Sequence, residues 1–491
     1  MSTRRDFLKT VAIAGAASLG GRAAFAAAGS SILDSFSHRS PQLDDPWSQL
    51  PQILSRIRPP QFPARNFDIC KFGAAGDGKT DCTEAFHDAI EACHRAGGGR
   101  VVVPPGDFLT GAIRLLSRVD LHLLEGATIR FSADSRKYPL VFTRWEGIEL
   151  MNFSPLIYAF QQEDIAVTGR GTLDGGANLQ HWWPWKGSEK FGWRPGEPDQ
   201  NKDRERLHEM GAKGVPVRER IFGEGHYLRP QFIEPYRSKN VLIEGVTVVN
   251  SPMWNLHPTL CENVTVRGVT LRSSGPNTDG CDPESSKNVL IENCLFDTDD
   301  DCIAIKSGRD NDGRRLHTPS ENIVIRNCRM LRGHGGVTVG SEISGGVRGV
   351  FAEKCHMTGP ELFDALRIKN NMLRGGHLEN IYARDIRADE VLIAGLSIDD
   401  RYGKSDGGTF VPVIRNVEVR NLDIGRSRYA IELRGLENAP IENVRLVDCN
   451  FAHVARPSVV QFVKGLTLSN VRINGKLAGS SARHGQSHAA E

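Results

Sequence analysis

Beyond its first 26 residues this 491-residue chain has no apolar run long enough to span a bilayer, so an integral membrane protein built on helices is excluded. It also lacks charge of one sign. A formal net charge of +2 gives neither the basic excess nor the dense basic patch that phosphate-backbone binding requires, which argues against a nucleic-acid partner. Aromatic residues are only 7% of the chain, and none of the ten cysteines stands in a C-x-x-C pair, so no structural zinc pattern is present and no metal or other cofactor is expected. What is abundant is glycine, 51 residues, beside a 39% hydrophobic share, the mark of a turn-rich protein with a large core.

The N-terminus carries Ser2-Thr3-Arg4-Arg5-Asp6-Phe7-Leu8-Lys9, then an apolar run from Val11 to Leu19, then Ala24-Phe25-Ala26. Basic, apolar and small-residue regions in that order form a twin-arginine signal over 1–26, implying a periplasmic or secreted protein. Cleavage is expected after about Ala26, and N-terminal sequencing of the exported protein reads it directly. Because that route carries proteins folded in the reducing cytosol, the cysteines are expected to be buried free thiols rather than a disulfide framework. Residues 27–66, polar and rich in proline, read as an extended lead-in with no globular domain.

At Thr80-Asp81-Cys82-Thr83-Glu84 a capping-box-like start opens an amphipathic helix with Phe86, Ala89, Ile90 and Cys93 on one face, ended by Gly97-Gly98-Gly99. From there to about residue 475 the chain repeats itself. Short runs such as Lys239-Asn240-Val241-Leu242-Ile243-Glu244, Glu262-Asn263-Val264-Thr265-Val266-Arg267 and Lys287-Asn288-Val289-Leu290-Ile291-Glu292 alternate apolar and polar residues behind a marker Asn, at intervals of roughly 23 to 36 residues. Period-two alternation means strands, and a strand-only repeat that must stack to bury its apolar face is a parallel β-helix, the Asn side chains bonding backbone at the turns. A β-propeller would show blades of four strands and their signatures, which are missing. The expectation is therefore an all-β chain, a single-stranded right-handed parallel β-helix over 67–475 capped at its N-terminal end by the helix, with a polar tail at 476–491. A lapse in the repeat at about 176–226, with Trp182, Trp183, Trp185 and Trp193, is either a wall of a functional cleft or a packing flap over the sheet.

Asn277-Thr278-Asp279-Gly280 closes one coil and Asp299-Asp300-Asp301-Cys302 stands about one coil later. Neighbouring coils lie about 4.8 Å apart, so carboxylates at equivalent positions crowd one patch, and crowding raises at least one pKa as a general acid requires. One coil further comes Gly333-His334-Gly335-Gly336, with His334 able to hydrogen-bond the acid. The next brings Arg367-Ile368-Lys369, whose alternate side chains offer two cations to a substrate carboxylate. Asp297, Asp299 and Asp301 alternate like the opening of a calcium loop, but its sixth and twelfth positions are Cys302 and Gly308, which do not fit.

The series N-T-D, D-D, G-H-G and R-I-K in this order resembles the polygalacturonases of glycoside hydrolase family 28, over roughly residues 67–475. The resemblance implies hydrolysis of α-1,4-galacturonosidic bonds in pectin or its fragments, an acidic polysaccharide or oligosaccharide partner, and inversion at the anomeric carbon. It implies Asp300 as general acid, Asp279 and Asp301 as the groups that activate water, His334 as support for the acid, and Asn277, Arg367, Lys369 and Tyr402 against the substrate. Asp299 departs from the pattern, where Gly or Gln commonly precedes the pair. Lys306-Ser307-Gly308-Arg309-Asp310, the insertion running to Ser320, and Arg229-Pro230-Gln231-Phe232-Ile233 look more like bacterial exo-acting members. Two other readings share the fold: a pectate lyase, which uses calcium and leaves an unsaturated sugar, and a tailspike-like protein that only binds glycans. The aspartate cluster favours the hydrolase, because desolvated like charges are costly to keep without a task. Nothing in the sequence fixes the oligomeric state.

Overall fold

A computed structural model describes residues 45–403 and 408–478; the 1–26 signal and residues 479–491 of the tail lie outside the described residues. Alternation builds the coils. In Glu262–Arg267, Val264 and Val266 are fully buried while the flanking charged residues face outward, and the strand pairs in parallel with Lys239–Glu244 before it and Lys287–Glu292 after it. Each coil contributes to three stacked sheets. The first holds Glu262–Arg267 and its equivalents, and the second holds Thr247–Val249, Thr270–Ser273 and Leu295–Thr298. The third holds Ile233–Tyr236, Ile303–Ile305 and the strand ends Val337–Val339 and Leu366–Lys369. The result is the expected right-handed parallel β-helix.

The marker asparagines differ from expectation in their bonding. Asn240, Asn263, Asn288, Asn322, Asn380, Asn416 and Asn443 all sit at φ between 54° and 61°, the left-handed region that Asn tolerates best among residues with a Cβ. Their side chains bond one another along the stack rather than backbone at a turn, Asn263 to Asn240 at 2.7 Å and Asn416 to Asn380 at 3.0 Å. Asn240 and Asn416 each donate to one coil and accept from the next, and Asn322 donates to Asn288, so these rungs tie neighbouring coils in register; at Asn263 the run is interrupted, its amide also bonding the backbone of Arg58.

Two columns of charge run along the outer face of the first sheet. Glu163, Lys239, Glu262, Lys287, Glu321, Arg348, Glu379, Arg415, Glu442 and Lys464 are successive cross-strand partners, and their signs alternate without a break. Glu244, Arg267, Glu292, Arg326, Glu353 and Arg384 form the second column, with contacts of 2.7 Å for Arg267 to Glu244 and 2.6 Å for Arg384 to Glu353. Between them runs an apolar stripe of Leu290, Val324 and Phe351.

That stripe is covered by the lead-in. Residues 27–44 lie outside the described residues, but for 45–66 the expectation of an extended segment is corrected, because Leu50–Arg56 is a helix that seats Trp47, Leu50, Ile53 and Ile57 on the stripe. Pro51 stands in its first turn, where proline starts a helix rather than breaks one. The capping helix spans Thr83–Arg95 and buries Phe86, Ala89, Ile90 and Cys93 as read from sequence, with Ala85 besides; its N-cap, Cys82, makes no side-chain cap, and the Thr83 amide donates to Asp81 at 3.0 Å. All ten cysteines are free thiols, and only Cys70 is exposed.

One element breaks the repeat unannounced, an antiparallel hairpin of Leu140–Trp145 and Ile148–Phe153. A fully buried charge network roots it in the third sheet: Arg144 meets Glu284 at 3.2 Å, Glu284 accepts from His257 at 2.7 Å, and Thr143 donates to Glu234 at 2.7 Å. Burial, reinforced by the charge of Glu284, pushes the Glu234 carboxyl up to about 8. The folded protein therefore holds a proton that the unfolded chain releases near pH 4.3. The stability contributed by Glu234 is complete below that value and lost as pH rises through about 8. The thermal midpoint is expected to fall between pH 5 and pH 9, with a shallower fall for Glu234→Gln; an unchanged slope in that variant would place the proton elsewhere.

Candidate active site

Asp279 and Asp301 occupy equivalent positions on successive coils, since Cys281 bridges Ile303 two residues on. Oxygens of Asp279, Asp300 and Asp301 all lie within 4.8 Å of one another. Each carboxylate has a different setting. Asp301 is fully buried and both its oxygens are engaged, one by Lys369 Nζ at 2.6 Å and the other by Thr338 Oγ1 at 3.0 Å. Gly335 makes room for this, because a Cβ there would lie 2.9 Å from Asp301 Oδ1. Asp300 meets His334 Nδ1 at 2.9 Å and accepts weakly from Asn277 Nδ2 at 3.4 Å. Asp279 is nearly buried, with Lys306 Nζ at 3.7 Å.

These settings separate the protonation states. Burial, then the charges of Asp282 and Asp300, hold Asp279 well above the usual carboxylate range, and Asp282 is raised by burial in the same way. Burial pushes Asp300 upward too, but the His334 hydrogen bond and charge, with Lys369 and Lys306, outweigh it and bring Asp300 below the usual range. His334 is raised because its bond to Asp300 outweighs its own desolvation.

The residues read from sequence as substrate contacts are close by. Lys369 is buried against Asp301, and Arg367 reaches Asp301 at 3.8 Å and Asp364 at 3.4 Å, so both cations brace carboxylates of the protein itself. Tyr402 lies beside them, its ring 5.2 Å from Lys369 Nζ and 5.5 Å from Arg367. Asn277 accepts from Lys186 and Arg229, each at 2.9 Å, and is thereby aimed at Asp300. Asp299 is answered by Lys190 of the tryptophan-bearing segment at 3.3 Å.

That segment is both flap and wall. Trp182 and Trp183 are buried, and Gly275 exists to admit Trp183, whose ring would otherwise lie 2.2 Å from a Cβ. Its helix Asn201–Ala212 then presents Arg204 and His208 to a cavity of about 670 Å³ that begins at the aspartates. Arg309, Glu342 and Arg374 line the same cavity, with Glu146 from the hairpin tip. None of these was singled out as a site residue from sequence. Lys306 had a legible signal, since Ile303 and Ile305 turn inward and leave Ala304 and Lys306 facing out beside the aspartates. Glu146 and Arg204 had none, lying outside the repeat.

Residues 223–464 match the family model for glycosyl hydrolases family 28. The chain is 30% identical over 400 residues to a probable polygalacturonase of Vitis vinifera, covering 78% of this chain and 73% of that protein. It is 27% identical over 442 residues to an exo-poly-alpha-D-galacturonosidase of Dickeya chrysanthemi, covering 82% and 71%. Among solved structures, a hyperthermoactive exopolygalacturonase from Thermotoga maritima superimposes with a TM-score of 0.85 at 47% identity, covering 87% of this chain and 96% of that one.

Proposed function

This chain belongs to glycosyl hydrolase family 28, and on that footing we propose that it hydrolyses α-1,4-galacturonosidic bonds of polygalacturonate and its oligomers, taking units from a chain end after export by the twin-arginine route. The observation that carries the reading is the meeting of Asp279, Asp300 and Asp301 at the mouth of a cavity closed on one side by cationic insertions.

Asp300 and His334 share one proton across their 2.9 Å bond. In the free site it rests on His334. When a glycosidic oxygen approaches Asp300, that proton passes through the carboxyl to the leaving oxygen as the C–O bond breaks. Water held between Asp279 and Asp301 supplies the new bond to the anomeric carbon and gives its proton to Asp301, the carboxylate paired with Lys369, while Asp279, which already holds a proton, orients the water. Asp301 cannot swing in as a nucleophile with both oxygens held, and Asp279 is nearly enclosed, so attack by water and inversion follow, although the carboxylates stand closer than the span of about 6.5–9.5 Å usual for inverting enzymes. Lys369 and Lys306 already neutralise this cluster, which favours proton chemistry over a calcium-dependent elimination.

Product chromatography from polygalacturonate and short oligogalacturonides tests the reading, with proton NMR of the first-formed anomer. Saturated monomer or short units with inverted configuration are expected, unaffected by chelator. A rapid viscosity drop from mid-chain cuts would overturn the exo assignment, retained configuration the water mechanism, and an unsaturated, ultraviolet-absorbing product the hydrolase itself.

A further inference from the structure

The closed end of the cavity contains an acceptor left free. Glu146, at the hairpin tip, is only 8% exposed in its side chain. Two cations and an imidazole crowd onto one of its oxygens: Arg204 Nε at 2.8 Å, Arg309 Nη1 at 3.1 Å and His208 Nε2 at 3.4 Å all approach Oε2, and burial lowers the His208 pKa. Oε1 accepts no hydrogen bond among the described residues, and it is not sealed from solvent. Beside it the terminal nitrogens of Arg204, whose side chain is 40% exposed, donate to nothing among the described residues. Glu342, the neighbouring carboxylate, is in contrast fully engaged, by Lys306 at 3.2 Å and by Ser341 at 2.9 Å.

The direction of the site fixes which sugar reaches this point. His334 precedes Val337–Val339 on its strand and lies outside the cavity lining, whereas Ser341 and Glu342 follow on the cavity side. The proton is thus delivered from the open side, so the leaving part of the chain lies there. The sugar whose anomeric carbon is attacked lies within the cavity. Its 4-hydroxyl, the atom farthest from the bond being cut, points to the closed end. In galacturonate the 4-hydroxyl and the carboxylate on C5 are adjacent, and a free acceptor next to a free guanidinium is the complement of that pair.

Resting on the hydrolase reading above, we propose that Glu146, with Arg204 beside it, recognises the free 4-hydroxyl and the carboxylate of a non-reducing terminal galacturonate, making Glu146 the residue that restricts cleavage to saturated chain ends. An internal sugar carries the next unit on O4 and meets the wall. A chain end produced by β-elimination carries a C4=C5 double bond and no 4-hydroxyl, so it leaves Oε1 without its partner. The enzyme then acts on ends made by hydrolysis, and ends made by elimination need a different enzyme.

The test compares trigalacturonate with its counterpart bearing a 4,5-unsaturated terminal residue. One hydrogen bond to a charged group corresponds to a kcat/KM lower by roughly 10- to 100-fold for the unsaturated substrate. In Glu146→Ala the ratio is expected to collapse toward one, with Glu146→Gln intermediate and a melting curve confirming that each variant is folded. Equal rates on both substrates in the unaltered enzyme would overturn the proposal while leaving hydrolysis intact, as would an unchanged ratio in a folded Glu146→Ala. Absence of hydrolysis on the saturated substrate would instead remove the reading beneath it.

Discussion

Asp300→Asn is expected to lower kcat on oligogalacturonides by about 10²- to 10⁴-fold with little change in KM, the loss associated with removing a general acid. Its neighbour supplies an internal control. His334 is raised by Asp300, so the transferable proton leaves the pair only above the ordinary histidine range, and the alkaline limb of the rate profile should lie above about pH 6.5. In His334→Ala that limb should move to lower pH, because the proton must then sit on Asp300, which rises when the histidine is lost but is still held down by Lys369 and Lys306. Substrate binding to Asp300→Asn, followed by calorimetry with a slowly cleaved oligomer, distinguishes lost chemistry from a lost site. An Asp300→Asn enzyme within threefold of the unaltered rate would move the acid to another carboxylate.

Arg144→Met is expected to cost about 3–5 kcal/mol, the penalty for stranding a buried charge by removing its partner. Arg144 and Glu284 are both completely buried, and two nitrogens of Arg144 have no hydrogen-bond partner even in the intact protein. The guanidinium unfolding midpoint should therefore drop steeply in Arg144→Met and recover in part when Glu284→Gln is added, because the second change removes the stranded carboxylate. Additive losses would show that the pair is not coupled. The hairpin carrying Glu146 depends on this network, so end selectivity should weaken in Arg144→Met before the solenoid itself unfolds.

The coils, the capping helix and the aspartate cluster were legible because each follows from a local period: two for strands, 3.6 for the helix, one coil for side chains that meet across the stack. Asp279, Asp300 and Asp301 had only to share a face. The closed end of the cavity was not legible, since Glu146, Arg204 and Arg374 come from an irregular hairpin, an inserted helix and a loop whose positions depend on tertiary contacts such as Arg204 with Glu146. The helix Leu50–Arg56 escaped for a similar reason. Its prolines suggested an extended chain, while its apolar residues match a stripe on the sheet that no local pattern reveals. The bond of Lys369 to Asp301 was not legible either, because alternation says which way a side chain points and not which carboxylate it reaches.

The alternating charge columns give the solenoid a parity. Were evolution or an engineer to excise the single coil that carries Glu321 and Arg326, Lys287 would face Arg348 in one column and Glu292 would face Glu353 in the other, so both seams would repel at once. Excising two successive coils would instead set Lys287 against Glu379 and Glu292 against Arg384, and both seams would close again. Over the coils from Glu244 to Arg384, beyond which Arg384 already faces Arg420, lengthening or shortening should thus be tolerated in even steps, and the same arithmetic disfavours a nascent chain that skips one of these coils while winding.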